Sequence, residues 1–393
     1  MLNEFFVDNF KSLINVTFRP AEVNLLLGAN NSGKTTLCLA LHFLCRTAVF
    51  DLGHCVGSIA GGRNAITNFY LNKPVVDFCI KAAVSDANKG DYQFKYRLSI
   101  RVENGSMGPK QLSVETESLH VTGGPFSDTL LLEHSGGAAR LLQEPSFLEG
   151  KASYSEITLP TDTTMLRNVY DFKLHGLSNM FKAYLIPWQY HTFHPEAMRG
   201  HEHTPNSNFL DYNGANLASI IFQLKTENER SYRSLLKHLQ KIDPRIDLIN
   251  FVQAGEDQIF MFFEDKNANR LSTGNASEGT LRYLALVYAL TQYAGHLPVG
   301  PPLLMIEEPE NGIYVGLLKE LMELLGKNKN GPQVIFTSHS PYFIDLFDNR
   351  LDGLFVLKRG EHNSRLEQPD PEQIRKRLED YPLGEQHFRE MFQ

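Results

Sequence analysis

Long apolar runs are missing from this chain. No stretch approaches the roughly 18 residues that a membrane-spanning helix needs, so no membrane partner is expected. Cysteine is scarce: the 393 residues include four, Cys38, Cys45, Cys55 and Cys79. None forms a Cys-x-x-Cys pair, which argues against zinc and disulfide frameworks and for reduced thiols in a cytoplasmic protein. Positive charge is in deficit. The 38 Lys and Arg against 45 Asp and Glu give a formal charge of −7, so a nucleic-acid partner would need a local basic patch. The opening Met1-Leu2-Asn3-Glu4 lacks a basic region followed by an apolar stretch, so no signal peptide is expected. Internal repeats, low-complexity tracts and sustained heptads are also absent. What remains is an ordinary globular composition, 42% hydrophobic and 21% charged, on a chain long enough for a large core.

The patterning alternates between sheet and helix. Residues 3–8 and 23–27 read as strands, the second fully apolar as in a buried parallel sheet. A helix starting near Gly33 carries Leu37, Leu41 and Leu44 on one face. A glycine-rich stretch at 53–62 leads into a β-rich region reaching about 160. There Phe94, Tyr96, Leu98, Ile100 and Val102 alternate with Lys95, Arg97, Ser99 and Arg101, the pattern of a half-buried antiparallel strand. From about 163 the pattern turns helical, and Ala183-Tyr184-Leu185-Ile186-Pro187 reads as a return to a central sheet. A polar, His-rich loop is expected at 189–208, helices at 214–241, and strands at 246–252, 258–263, 303–306 and 334–336. A basic helix follows near 371–378. The expected division is a core part at 1–52, a β-rich lobe at 53–162, a helical or lid lobe at 163–268, a second core part at 269–360 and a tail at 361–393.

Four motifs carry chemistry. Gly28-Ala29-Asn30-Asn31-Ser32-Gly33-Lys34-Thr35 fits G-x-x-x-x-G-K-[ST] between an apolar strand and a helix, with Thr36 next in line. Its glycines let successive N–H groups face phosphate oxygens, and the helix N-terminus adds favourable dipole charge. Lys34 is expected at the β and γ phosphates of ATP, and the Thr35 hydroxyl on Mg²⁺. The apolar run at 303–306 ends in Glu307-Glu308-Pro309-Glu310. Glu307 would support the metal and Glu308 would polarise the attacking water as general base; Glu310 reads as a surface or interface residue. The run at 334–336 ends in Thr337-Ser338-His339-Ser340, where His339 could hydrogen-bond a γ-phosphate. Ala276-Ser277-Glu278-Gly279-Thr280-Leu281-Arg282 opens an apolar helix. Ser277 and the Gly279 N–H are an anion site at a helix start, and Ser277 is equally a good N-cap. In this company the turn reads as a signature loop that closes the nucleotide site of a second copy.

Taken together these residues resemble an ABC-type ATPase of the group that includes the SMC, RecF and OLD (overcoming lysogenization defect) proteins, nearest to prokaryotic ATPases of the AAA_21/AAA_15 type. The likeness runs through Asn9-Phe10-Lys11-Ser12-Leu13, the phosphate loop, Asp211-Tyr212-Asn213-Gly214-Ala215-Asn216-Leu217, the Ser-x-Gly turn and both polar strand ends. It implies an α/β fold, a P-loop head with a mixed or parallel central sheet, an antiparallel β-rich lobe and a helical lobe. It also implies ATP and Mg²⁺ as cofactors and an ATP-sandwiched homodimer. In that dimer one copy supplies Gly28, Asn30, Asn31, Ser32, Gly33, Lys34, Thr35, Thr36, Glu307, Glu308 and His339, and the other Ser277 and Gly279. The role it implies is sensor or scaffold in a prokaryotic anti-phage defence complex with a separate nuclease or toxin effector. A RecF-like repair ATPase acting on DNA directly, and a non-hydrolysing scaffold, remain open beside it, with DNA a candidate partner.

The chain departs from the family pattern in three places. Glu307 stands where aspartate is more usual, and Tyr314-Val315 where a His-Pro often follows the acids. The TOPRIM nuclease domain of OLD proteins is expected to be lacking, and the missing heptads argue against a true SMC protein. Gln143 and Gln189 are the candidates for a metal-contacting glutamine loop. His191, His194, His201 and His203 read as a polar lid or partner loop rather than a metal site, because their spacing matches no tight ligand motif. Arg233, Lys237 and Lys241 share one helical face, by default a solvated one; Trp188 is expected to pack.

Overall fold

The alternating run at 94–102 becomes the centre of an eight-stranded antiparallel sheet. In the computed structural model, which describes all residues except 64, 87–89, 104–110, 200–208, 255–257, 292–300, 328–330 and 390–393, the chain divides into two compact units. One holds Met1–Trp188 and Asp352–Asp370, the other Gln189–Leu351 and Pro371–Gln393.

In the first unit, strand Gly90–Glu103 lies between Val75–Asp86 and Gln111–Gly123. Its apolar residues are buried and its basic ones face outward. Helix Gly176–Leu185 covers the buried face, with the Phe181 ring 5.3 Å from Phe94 and 5.5 Å from Tyr96. This helix corrects the strand expected at 183–187. Phe181, Tyr184 and Leu185 are buried at helical spacing, and the run is the last turn of an amphipathic helix. The strand begins only at Gln189, after Pro187 has stopped the helix.

Strand Val23–Leu27 is buried and pairs in parallel with Leu354–Arg359, which pairs antiparallel with Ser364–Glu367. The region expected as a tail after 360 thus begins with a sheet strand. Helix Lys34–Thr47 buries Leu37, Leu41 and Leu44. Its Phe43 ring sits 5.6 Å from Phe10 and 5.7 Å from Phe78 of the antiparallel sheet, so aromatic packing fixes the helix that follows the phosphate loop. The glycine-rich stretch opens with helix Leu52–Ser58, capped by the Asp51 side chain. All four cysteines are free, and burial pushes the Cys45 and Cys55 thiols up to about 12.

In the second unit, strands Gln189–His191, Leu303–Glu307 and Gln333–Thr337 run parallel in that order. Each reads as an apolar or fully buried run, as parallel strands covered on both faces must. Ile246–Ala254, Gln258–Asp265 and Arg270–Ser272 form a three-stranded antiparallel meander. Around these lie helices Leu217–Glu227, Glu229–Ile242, Glu278–Thr291 and Val315–Lys327. On the basic face of Glu229–Ile242, Arg233 pairs with Glu229 and Lys241 with Glu320. Trp188 is 2% exposed, as expected of a packing residue. No helix among the described residues is long and apolar enough to cross a membrane.

Candidate nucleotide-binding site

Leaving strand Val23–Leu27, the backbone turns through Gly28 at φ 143°, Asn31 at φ 63° and Gly33 at φ 107° before helix Lys34–Thr47 starts. Two of these positions require glycine on space as well as on conformation. A Cβ on Gly28 would stand 2.3 Å from Leu357 O and 2.6 Å from Ser32 Oγ; one on Gly33 would stand 2.5 Å from Ser364 Oγ. Ser364 Oγ in turn donates to Ser12 Oγ at 2.8 Å, so the Asn-Phe-Lys-Ser-Leu turn supports the loop from behind.

No side chain caps the helix start at Gly33, which leaves its first N–H groups available to an anion. The Lys34 ammonium, 7% exposed, is held over the loop by Gly28 O at 2.8 Å and Ala29 O at 3.1 Å. Ser32 Oγ is buried with no hydrogen-bond partner. Asn30, Asn31 and Thr35 are exposed and Thr36 is half-buried. A buried cation, an uncapped helix start and an orphaned hydroxyl in one glycine cradle fit a polyphosphate.

The acidic motif belongs to the other unit. Strand Leu303–Glu307 places Glu307 in register with Thr337. The chain then breaks sharply: Glu308 takes φ 44°, and its N–H donates to Thr337 O at 3.0 Å. A left-handed glutamate at a strand end is uncommon and marks a site where orientation matters. Asn311 Nδ2 donates to Glu308 Oε2, fixing the carboxylate. Glu307 and Glu308 line a cleft of about 180 Å³ together with Thr192, His194, Arg282 and Asn311. Among the described residues no group of three or more His, Cys, Asp or Glu could hold a metal.

Ser277 is first of all a cap. Its hydroxyl accepts from Thr280 N at 3.1 Å and lies 2.6 Å from Thr280 Oγ1. Gly279, on the first turn of Glu278–Thr291, meets the turn after the acids, where an added Cβ would stand 2.4 Å from Gly312 O. Arg282 Nη1 reaches Asn311 O at 3.0 Å, and Arg199 Nη2 reaches Ala276 O at 3.0 Å. The His339 side chain is exposed, while its backbone N–H is bound by Glu310.

Glu310 corrects the surface reading. Its carboxylate accepts from Ser338 Oγ, His339 N and Ser340 N. The histidine loop also divides. His191 is buried between Gln189 Oε1 at 2.9 Å and Asp211 O at 3.3 Å, and burial lowers it to about 4. His194 lines the acidic cleft, and His201 and His203 lie outside the described residues. The Asp211–Leu217 block is a folded turn: Asn216 bonds Asp211 N and Phe209 O, and Tyr212 O and Asn213 O receive Thr192 N and His194 N. Of the two glutamine candidates, Gln143 bonds Ser153 and Ser155, and Gln189 faces His191.

Sequence reading passed over Asn311 and Thr192, set Glu310 at a surface or interface, and took 189–208 as one polar lid or partner loop. Only Asn311, three residues after Glu308, left a signal. Strand Gln189–His191 is too short and polar to show periodicity, so the placement of Thr192 and His194 beside the acids could not be read from it.

The sequence model of the AAA_21 family, described as "AAA domain, putative AbiEii toxin, Type IV TA system", matches residues 137–345. That span takes in Ser277, Gly279, Glu307, Glu308 and His339 but begins after the phosphate loop. A search of curated proteins gave no match. Among solved structures, the chain is similar to an SMC head bound to the C-terminal winged-helix domain of ScpA, at 12% identity and TM-score 0.54, covering 95% of this chain and 99% of that one. It is also similar to an SMC head domain with an extended coiled coil bound to the C-terminal domain of ScpA derived from Pyrococcus furiosus, at 12% identity and TM-score 0.51, covering 96% and 98%. At such identity the likeness establishes the fold alone, a mixed α/β head.

Proposed function

The chain belongs to the AAA_21 family and is an ATPase, and from that premise we propose that it works as an ABC-type dimer. Two copies sandwich two ATP molecules and serve as sensor or scaffold of a prokaryotic anti-phage defence complex with a separate nuclease or toxin effector. Lys34 and the N–H groups at 28–36 hold the phosphates. Thr35 and Glu307 hold Mg²⁺, which when bound neutralises phosphate charge. Glu308 takes a proton from the attacking water, His339 contacts the γ-phosphate, and the second copy closes the site with Ser277 and Gly279. Closure on binding and opening after hydrolysis would present different surfaces to the effector.

The observation that carries the reading is Glu308. A left-handed backbone and an Asn311 hydrogen bond hold its carboxylate beside Glu307 at the mouth of a cleft, which is the placement a general base requires. The AAA_21 family's association with a putative AbiEii toxin and a type IV TA system supports the defence role. The RecF-like alternative draws less support. In the basic patch of Arg233, Lys237 and Lys241, Arg233 pairs with Glu229 and Lys241 with Glu320.

Glu308→Gln should lower the ATPase rate by about 100-fold or more and leave nucleotide binding intact, whereas Lys34→Ala should lose binding. An unchanged rate in Glu308→Gln would overturn the catalytic assignment. Co-purification with products of neighbouring genes tests for the effector.

A further inference from the structure

Beyond their shared ladder, the acidic strand and the histidine strand are joined by Glu310, the last side chain of the acidic motif and one with no part in the ATP chemistry above. Glu310 Oε1 accepts from Ser338 Oγ, from His339 N at 3.1 Å and from Ser340 N at 3.2 Å. The same turn meets the Ser277 helix on another side, through Arg282 on Asn311 O and through the close approach of Gly279 to Gly312 O. The turn is stiff: Glu308 sits at φ 44° and Gly312 at φ 70°, with Pro309 between, and Glu308 N is bonded to Thr337 O. Burial pushes the Glu310 carboxyl above the usual carboxylate range, against hydrogen bonds that pull it down. Its second oxygen, Oε2, is buried without a partner. A glutamate that only decorated a surface would not bear that cost. A buried acceptor kept half-satisfied beside a reactive centre calls for a functional reason.

We infer that Glu310 is the positioning residue that couples the His339 loop to the turn beneath the Ser277 helix, so that a change at His339 is delivered to the surface that meets the second copy. The inference rests on the reading of Glu308 and His339 as ATP-site residues. Three donors of the Ser338–Ser340 loop converge on one oxygen, so a shift of the His339 backbone carries the carboxylate with it. The stiff turn passes that shift to Asn311 O and Gly312 O, and through them to Arg282 and Gly279. Glu310 touches no reacting atom.

The test is a double-mutant cycle between Glu310→Ala and His339→Ala, read as kcat, KM and ATP-driven pairing by light scattering. Glu310→Ala should lose about tenfold or more in kcat, bind ATP within about twofold of the parent and pair poorly. Glu310→Gln keeps an acceptor oxygen and should recover part of the loss. The double variant should be no slower than His339→Ala alone, because residues acting as one unit are not additive. Losses that multiply would show that Glu310 acts independently of His339 and would overturn the inference, as would a parental kcat in Glu310→Ala. Should Glu310→Ala not fold, Ser338→Ala removes one of the three donors and takes its place in the cycle. Glu308→Gln is measured alongside. Hydrolysis surviving there sinks the ATP-site reading itself. A silent Glu310→Ala beside an inactive Glu308→Gln sinks the coupling alone.

Discussion

Histidines close together in sequence separate at the scale of single residues, and their surroundings decide what each can do. His194 is exposed, as is the more distant His339, while His191 is 1% exposed and held between Gln189 and Asp211. Desolvation lowers His191 to about 4, opposed by its bond to the Asp211 backbone, whereas an unfolded histidine titrates near ~6.5. As pH falls, the unfolded chain takes up its proton first. Stability that is whole above about pH 6.5 therefore drains between there and about 4, by roughly 3 kcal/mol at most. His191→Gln removes the titrating group. Urea unfolding at pH 7 and pH 5 should show a shallower loss for the variant than for the parent, and equal slopes would place the loss in other groups.

At the scale of elements, local preference and packing can oppose each other, and Gly279 is where they do. Helix propensity alone favours alanine over glycine by about 1 kcal/mol, so Gly279→Ala ought to stabilise helix Glu278–Thr291. The added Cβ would stand 2.4 Å from the Gly312 carbonyl, a backbone atom that no rotamer change can move aside. Overpacking of this kind costs about 1–3 kcal/mol, and the first turn gains least from propensity. Gly279→Ala should therefore lower the melting temperature in a circular-dichroism scan; a rise would mean that propensity wins. The same opposition explains which elements were legible. The strands at 23–27, 303–306 and 334–336 could be read because a doubly covered parallel strand is almost wholly apolar, Asn24 being the one polar position in these three. The Gly90–Glu103 strand could be read because a half-buried one alternates. Residues 183–187 misled because a buried helix turn and a short apolar strand share a composition, and only the contacts of Phe181 and Tyr184 distinguish them.

For the whole molecule, the phosphate loop was legible because its chemistry is local: glycines, lysine and hydroxyls within one short run. Glu310 was not, because its partners lie 28 to 30 positions further on and two of them are backbone N–H groups, which leave no trace in sequence. The same asymmetry applies to assembly. Ser277 caps its own helix, so pairing is the property that separates a cap from a contact with a second copy. In sizing experiments Glu308→Gln should accumulate pairs in ATP but not in ADP. Ser277→Arg should bind ATP and stay single; pairs surviving in that variant would reduce the turn to a cap. One feature of the phosphate loop has a bearing on how the chain is made. Ser12 and Gly33 wait for Ser364, which bonds Ser12 across 352 positions and forms the wall behind Gly33. At ribosomal speeds of about 5–20 residues per second, that interval is roughly 20–70 s. Through it the nascent chain carries the motif without the cradle, and ATP can lend its binding energy to folding only once Ser364 has emerged.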